Sequence, residues 1–160
     1  MTIAAAIRPK NTSVTFKLNS SGTGATQTII AEGSPHVINV DARRRFGGND
    51  EYPSPISYVL SSLISCSQVT AQLVADDLGI LLHSFEFNLK AKLDTAIFFD
   101  GAAEGNPNFQ DIIINARIET NTSDDLFEKL KIETERRCPV YQLFSRSGVN
   151  IRSQWVRQAS

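Results

Sequence analysis

The sequence predicts an α+β fold in which antiparallel sheets pack around a long buried central helix. Three short strand-like runs, separated by turn residues, precede one long apolar segment. Two further strand-like runs, an amphipathic helix and a last strand follow, without the regular alternation of strand and helix that marks a parallel doubly wound sheet. We therefore expect a single domain over residues 1–160, long enough for a hydrophobic core of its own.

The N-terminal part predicts a β-meander. Residues 14–18 alternate apolar and polar side chains, residues 26–31 form the returning strand, and residues 36–40 form a third strand. Residues 20–24, with two serines and two glycines, are typical of the turn between the first two strands. Connections this short favour antiparallel pairing.

The longest predicted helix covers residues 54–78. Ser54 is a candidate N-cap, Pro55 suits the first turn, and Gly79 is a candidate C-cap. Bulky apolar side chains lie on nearly all sides of this helix, and such a helix is buried.

The second half of the chain predicts two strands, a helix and a final strand. They cover residues 80–93, 109–120, 122–137 and 149–156, with a loop at residues 94–107. Phe85, Phe87 and Leu89 alternate along the first of these strands. One face of the second consists of Ile112, Ile114, Ala116 and Ile118. Pro139 either ends the helix or opens a further short helix through Phe144.

Composition and charge restrict the function classes. The chain has 41% hydrophobic residues, 21% charged residues and a formal net charge of -1, so nothing indicates binding to nucleic acid or to an anionic membrane. Serines, threonines and a glutamine interrupt residues 56–75, and we expect no membrane span there. Residues 1–9 lack a long apolar region, and we do not expect them to form a signal peptide. We therefore expect the cytoplasm, where thiols stay reduced unless they are catalytic or sensing.

Two cysteines indicate redox chemistry. Cys66 lies in the apolar helix opened by prolines, and Cys138 lies at the end of the charged helix. Two cysteines are too few for a disulfide scaffold, and their spacing is not a metal pattern, so we expect no metal and no cofactor. A thiolate is the attacking form of cysteine, and a nearby arginine is suited to stabilise it.

The setting of Cys138 allows two interpretations. If Cys138 ends the charged helix, the helix dipole disfavours its thiolate; if it caps a short helix opened by Pro139, the dipole favours it. Arg136 and Arg137 are also candidates to lower its pKa. The residues alone therefore leave open which sulfur attacks first.

Three segments together resemble the OsmC/Ohr family, whose names stand for osmotically inducible protein C and organic hydroperoxide resistance protein. They are the run from Pro55 to Cys66, with ten residues between, then Gly79-Ile80, and the distant Cys138-Pro139-Val140. The resemblance covers the chain from about Phe46 to the C-terminus, and the first strands only by their order. It implies an intertwined homodimer with the active site at the interface, and thiol-dependent reduction of peroxides, especially organic hydroperoxides.

The resemblance also implies a role for each site residue. Cys66 attacks the peroxide, Cys138 closes a disulfide with it, and an external thiol or dithiol, often of lipoyl type, completes the cycle. In OsmC-like members an arginine before a phenylalanine, about twenty residues upstream of the reactive cysteine, assists this chemistry. Arg45-Phe46 stands there, one residue further away than the family pattern. Arg43 and Arg44 are expected to be solvated charges.

One position departs from the family pattern. Members commonly carry a glutamate directly after the proline that opens the helix, where it pairs with the arginine. Ile56 stands there, so the arginine lacks its usual carboxylate, and Glu51 from the loop is a candidate replacement.

The departure at Ile56 motivates a second hypothesis, a non-enzymatic redox sensor or a protein that binds an apolar ligand on the same scaffold. A purely structural protein with two inert thiols is the third hypothesis. An apolar pocket has the candidate lining residues Tyr58, Phe98, Phe99, Phe109 and Tyr141. Packing in the core or in the dimer accounts for most of them equally well.

Overall fold

The computed structural model describes residues 12–101 and 103–159. The prediction about a signal peptide in residues 1–9 lies outside the described residues. In chain order the elements are β1 (Leu18–Thr23), β2 (Thr26–Ala31), β3 (Val37–Val40), a short 3-10 helix (Arg44–Phe46), α1 (Pro55–Leu78), β4 (Ser84–Leu93), α2 (Ala96–Phe99), β5 (Phe109–Glu119), α3 (Asp124–Arg137), α4 (Pro139–Arg146) and β6 (Asn150–Gln158). Two three-stranded sheets and a long helix confirm the α+β class. The chain divides into two compact units after Ser57, and the single domain over residues 1–160 stays a prediction.

The first sheet is the predicted antiparallel meander, with strand order β1-β2-β3. The prediction for its first strand, residues 14–18 with a turn at 20–24, is wrong, because β1 covers Leu18–Thr23. Thr23 pairs with Thr26, so the hairpin turns on two residues, and Gly24 takes the positive φ of 62° that such a turn favours. All of β1 is exposed, and its register therefore follows the turn and not the apolar alternation.

A buried carboxylate organises the loop after β3. Asp41 accepts hydrogen bonds from the N–H groups of Ala42 at 2.7 Å, Asn49 at 3.0 Å and Glu51 at 3.1 Å. The Thr26 hydroxyl, 3.2 Å away, donates to the same side chain. These bonds, that of Glu51 foremost, hold the pKa of Asp41 below its usual value against the effect of burial. The loop that carries Arg45 is therefore fixed by Asp41.

A methyl group at Gly48 is expected to disrupt this loop. A Cβ atom there would lie 1.9 Å from the Ala42 carbonyl oxygen and 2.6 Å from Asp41 Oδ1, so the backbone must shift. Gly48→Ala should make cleavage by trypsin at Arg43, Arg44 and Arg45 faster, as measured by timed proteolysis. Gly101→Ala is the control, since a Cβ there meets nothing within 4 Å. Equal cleavage rates in the two variants would show that Gly48 is not required.

The second sheet has the order β4-β5-β6 and is mixed. β4 pairs with β5 antiparallel, but β5 pairs with β6 parallel, which corrects the expectation of antiparallel sheets throughout. The reason is the connection, because α3 and α4 between β5 and β6 carry the chain back to the end of the sheet where β5 begins. The alternation of buried Ile112, Ile114, Ala116 and Ile118 along β5 is confirmed.

The helix caps follow the sequence closely. Ser54 Oγ accepts the Ser57 N–H at 3.2 Å at the start of α1, and Gly79 follows its end with a φ of 67°. Ser123 caps α3 by accepting the Leu126 N–H at 3.4 Å. The region 94–107, expected to be a loop, contains the single turn α2.

α1 buries one face and not its whole circumference. The buried residues are Leu63, Ser67, Thr70, Ala71, Val74 and Ala75. Leu63 packs with Ile112 and Ile114 of β5 in one core cluster, and Val74 and Ala75 pack with Ile118 and Leu130 in another. Val59, Val69 and Leu73 remain exposed. Of the described helices, only α1 has the length and apolar composition of a membrane span, a test that a core helix also passes.

Candidate active site

Cys66 lies at the edge of the buried face of α1. Its side chain is half-buried, and its thiol is free. Burial raises the pKa of the Cys66 thiol, and the thiol of Cys138 beside it raises that pKa further. The N–H of Val140 and the hydroxyl of Thr70, one helical turn along α1, act in the opposite direction by hydrogen bonding to the sulfur. Cys66 is therefore a thiol in a partly apolar setting with two nearby polar groups.

Cys138 occupies the junction between α3 and α4, and its side chain is fully buried at 0% exposure. Its N–H donates to the Thr134 carbonyl at 2.9 Å and so closes α3, while its Sγ accepts the Tyr141 N–H at 3.4 Å and caps α4. The Ser67 hydroxyl lies 3.9 Å from the same sulfur. Of the two interpretations of Pro139, a new short helix is therefore correct. Cys138 both ends α3 and caps α4, so the two helix dipoles act on Sγ in opposite directions.

The two thiols lie together at the first turn of α4. Val140 donates its N–H toward Cys66, and Tyr141 donates its N–H to Cys138. Pro139 has no N–H, so these are the first donors that the helix offers. A pair of neighbouring free thiols with backbone donors on both sulfurs can interconvert with a disulfide without a metal or an organic cofactor. Within the described residues, no group of three or more His, Cys, Asp or Glu side chains is arranged to hold a metal ion.

Gln142 holds the junction between α3 and α4 in place. Its Nε2 donates to the Glu135 carbonyl at the end of α3 at 3.0 Å, and its Oε1 accepts from Arg146 Nε at 3.1 Å. Its own N–H donates to the Cys138 carbonyl at 3.0 Å. These three bonds connect the end of α3, the first turn of α4 and its last turn. The donors of Val140 and Tyr141 are thereby fixed relative to Cys138.

A carboxyl and a phenol lie behind the same junction. Burial raises the pKa of Glu135, and burial together with Glu135 raises the pKa of Tyr141 to about 12. Tyr141 and Ser153 act on Glu135 as hydrogen-bonding neighbours and lower its pKa in part. Tyr141 is therefore protonated throughout the physiological range and serves as a hydrogen-bond donor.

Arg136 and Arg137 are engaged away from Cys138, so the prediction that they act on its thiol is not supported by their contacts. Arg136 pairs with Glu133, with 2.6 Å between Nη2 and Oε2. Arg137 pairs with Asp77 of α1, with 2.5 Å between Nη1 and Oδ2. Exposed ion pairs of this kind contribute little to stability, about 0–1 kcal/mol. They orient the guanidinium groups toward carboxylates on the surface.

Arg45 belongs to the N-terminal unit, in the 3-10 helix Arg44–Phe46. Its side chain is exposed, and its guanidinium lies over the Phe46 ring at 4.6 Å from the centroid. Arg43 instead lines an open depression together with Asp50 and Glu51. The action of Arg45 or Glu51 on the thiols stays a prediction.

Several residues of the site were not predicted. Ser67, Thr70 and Gln142 contact the thiols or their junction, and Asp41 fixes the loop of Arg45. Thr70 was detectable in principle, because it stands four residues after Cys66 on the same helical face. Ser67 and Gln142 act across elements, and the sequence carries no local signal for that.

The pKa of Cys66 should respond to its partner. In a Cys138→Ala chain we expect it to fall relative to the parent, because the neighbouring thiol no longer raises it, yet to stay above the usual 9.0 because burial remains. The measurement is the pH dependence of alkylation by iodoacetamide, followed on the Cys66 peptide by mass spectrometry. An equal or higher Cys66 pKa in the Cys138→Ala chain would contradict the effect of the neighbouring thiol.

The raised pKa of Cys66 also makes the stability of the fold depend on pH. Because the folded-state pKa lies above the unfolded one, the contribution of this thiol to stability is fully present below the unfolded value. This contribution is lost as the pH rises through the pKa of Cys66 in the folded state, since the unfolded chain releases the Cys66 proton at a lower pH.

Comparisons with known proteins identify the family and the fold. The profile of the family described as OsmC-like protein matches residues 47–154. An OsmC-like protein from Mycoplasma pneumoniae is 16% identical, with a TM-score of 0.72 over 91% of this chain and 97% of that one. An organic hydroperoxide resistance protein from Legionella pneumophila is 16% identical, with a TM-score of 0.69 over 91% and 98%. No curated protein matches the chain.

A third solved structure extends the likeness to another bacterium. An organic hydroperoxide resistance protein from Elizabethkingia anophelis is 16% identical, with a TM-score of 0.70 over 92% of this chain and 99% of that one. At such identities the solved structures demonstrate the fold, while the profile match covers most of the sequence, including both cysteines. This chain therefore belongs to the OsmC-like protein family.

Proposed function

We propose that this chain is a thiol-dependent peroxidase that reduces organic hydroperoxides, and also hydrogen peroxide, through Cys66 with Cys138 as the resolving cysteine. The observation that carries the proposal is the contact between the two free thiols at the first turn of α4. The hydroperoxide resistance proteins among its structural relatives support the substrate class.

The chemistry balances with these two sulfurs alone. The Cys66 thiolate attacks the outer peroxide oxygen, the O–O bond breaks, and the alkoxide takes a proton to leave as an alcohol. Cys66 is then a sulfenic acid, which Cys138 attacks to form a disulfide and release water. An external thiol or dithiol returns both cysteines to the reduced state. This cycle fits a reducing compartment, and we therefore assign the protein to the cytoplasm.

Arg45 is the proposed source of the charge that favours the Cys66 thiolate. Such help is needed because burial raises the pKa of Cys66. Arg45→Gln should lower peroxide turnover by about tenfold to a hundredfold, as is usual when one charge-stabilising donor is lost. Arg43→Gln is the matched control, two residues away in the same loop, and should leave turnover unchanged. Equal effects of the two variants on peroxide turnover would contradict a specific role of Arg45.

The apolar surface of α1 supports a homodimer. Val59 is 36% exposed, Val69 is 62% exposed and Leu73 is 54% exposed, and side chains of this kind on one helix favour burial against a second copy. We also propose that Phe98 and Phe99 of α2 contact the apolar part of the hydroperoxide. Their ring centroids lie 5.8 Å apart in an edge-to-face arrangement. Sedimentation of the purified chain tests the dimer.

A second candidate function is a redox sensor or an apolar-ligand-binding protein. It is favoured by Ile56, which leaves the arginine without the family's usual carboxylate. The two functions differ in turnover. A peroxidase consumes many equivalents of cumene hydroperoxide with a dithiol donor, and consumes hydrogen peroxide more slowly. A sensor is oxidised once, so consumption that stops after one equivalent per chain would favour it.

A further inference from the structure

We propose that the external thiol attacks the Cys66 sulfur of the Cys66–Cys138 disulfide, and that Cys138 leaves as a thiolate held by the first turn of α4. The step deepens the proposed function and rests on it, because the disulfide is its starting point. It decides which cysteine carries the mixed disulfide with the reductant.

Access distinguishes the two sulfurs. Cys138 is fully buried, at 0% exposure, whereas Cys66 is half-buried at the edge of α1. An attacking thiolate needs a clear approach to the sulfur that it bonds, on the side opposite to the leaving sulfur. Only Cys66 offers this approach.

The leaving sulfur has hydrogen-bond donors in place beside it. Tyr141 N–H donates to Cys138 Sγ at 3.4 Å, and the sulfur caps the positive end of α4. The Ser67 hydroxyl, now donating to the Leu63 carbonyl at 2.8 Å, lies 3.9 Å from the sulfur and can turn toward it. Disulfide exchange is faster when the departing sulfur is stabilised as a thiolate.

Cys66 lies in a setting that disfavours its thiolate. It has the N–H of Val140 and the hydroxyl of Thr70 as polar neighbours, but burial and the other thiol outweigh them and raise its pKa. Gln142 keeps the α4 donors on Cys138 by bonding to Glu135 at 3.0 Å across the junction. Because Cys138 is fully buried, attack by an external thiol at Cys66 releases Cys138.

The exchange balances without another reactant. A reductant thiolate bonds to the Cys66 sulfur, the bond between Cys66 and Cys138 breaks, and both of its electrons go to Cys138. The second thiol of the dithiol then attacks the dithiol sulfur that is bonded to Cys66 in the mixed disulfide. The dithiol is oxidised to a disulfide, Cys66 leaves as a thiolate, and the two protons of the dithiol end on the two cysteines.

The test locates the mixed disulfide. The disulfide is formed with diamide, so hydroperoxide is not involved, and then exposed to glutathione, a monothiol, for times too short for a second glutathione molecule to release the adduct. Acid quenching at early times and peptide mass spectrometry quantify the adduct at each cysteine. We expect at least about tenfold more adduct on Cys66 than on Cys138, because Cys138 is fully buried and Cys66 is not. Equal amounts, or more on Cys138, would overturn the proposal.

A pair of variants tests the role of the Tyr141 N–H. Tyr141→Pro removes the donor at a position in the first helical turn where proline is tolerated, and Tyr141→Ala removes the same side chain but keeps the donor. Reduction of the diamide-formed disulfide should be about tenfold slower in the proline variant than in the alanine variant. Equal rates would exclude the backbone donor.

The outcomes separate this inference from the peroxidase itself. Selective adduct formation without peroxide turnover supports the exchange step and rejects the enzyme. Peroxide turnover without selective adduct formation supports the enzyme and rejects the exchange step. If diamide forms no disulfide between the two cysteines, both fail.

Discussion

Replacing Cys66 with serine is expected to reduce cumene hydroperoxide consumption by about 10³-fold or more, as is usual when a nucleophile is removed. A serine hydroxyl is nearly isosteric but does not form the sulfenic acid on which the cycle depends. The rate is measured with a dithiol donor in excess, by loss of hydroperoxide. Because Cys66 is half-buried at the edge of α1, the variant should remain folded.

Cys138→Ser is the informative companion. Its Cys66 should still react once with hydroperoxide and should then accumulate as a sulfenic acid that dimedone traps, because the resolving thiol is gone. A Cys66→Ser chain that consumed hydroperoxide at the parent rate would eliminate the proposed nucleophile. A Cys138→Ser chain with no trapped sulfenic acid would eliminate the proposed order of events.

Truncating Leu130 should produce the largest loss of stability. Leu130 is at 0% exposure in the cluster that joins α1, β5 and α3. Leu130→Ala removes buried apolar volume and leaves a cavity, which costs about 2–5 kcal/mol. The free energy of unfolding is measured by urea denaturation at fixed protein concentration, since a dimer would make it concentration-dependent.

Ile132 provides the control on the same helix. It is 54% exposed, so Ile132→Ala removes less buried area, and alanine favours the helix by a few tenths of a kcal/mol. We expect its free energy of unfolding to change by less than about 1 kcal/mol. Similar losses in the two variants would mean that the α3 face described as exposed is in fact buried against another surface.

The sequence predicted the parts of the fold that depend on local chemistry. Ser54, Gly79 and the alternation along β5 fix their elements through bonds or contacts between near neighbours in sequence. The parallel pairing of β5 with β6 was missed because it depends on how α3 and α4 return the chain. The first strand was misplaced because an exposed hairpin is positioned by its turn.

The candidate site was also predicted only in part. The family resemblance identified Cys66 and Cys138, but the residues alone did not show that both settings considered for Cys138 hold, since it ends α3 and caps α4. The sequence favoured Arg136 and Arg137 as neighbours of the thiol because they adjoin it. Their ion pairs with Glu133 and Asp77 show that sequence proximity did not determine their direction.

The most direct measurement is a titration of the reduced protein with cumene hydroperoxide, with free thiols counted at each step and peptides mapped at the end. The two sulfurs share the first turn of α4, and we therefore predict that one equivalent per chain removes both free thiols and yields an intrachain bond from Cys66 to Cys138. Retention of two free thiols after several equivalents, or over-oxidised Cys66 with Cys138 untouched, would contradict the account.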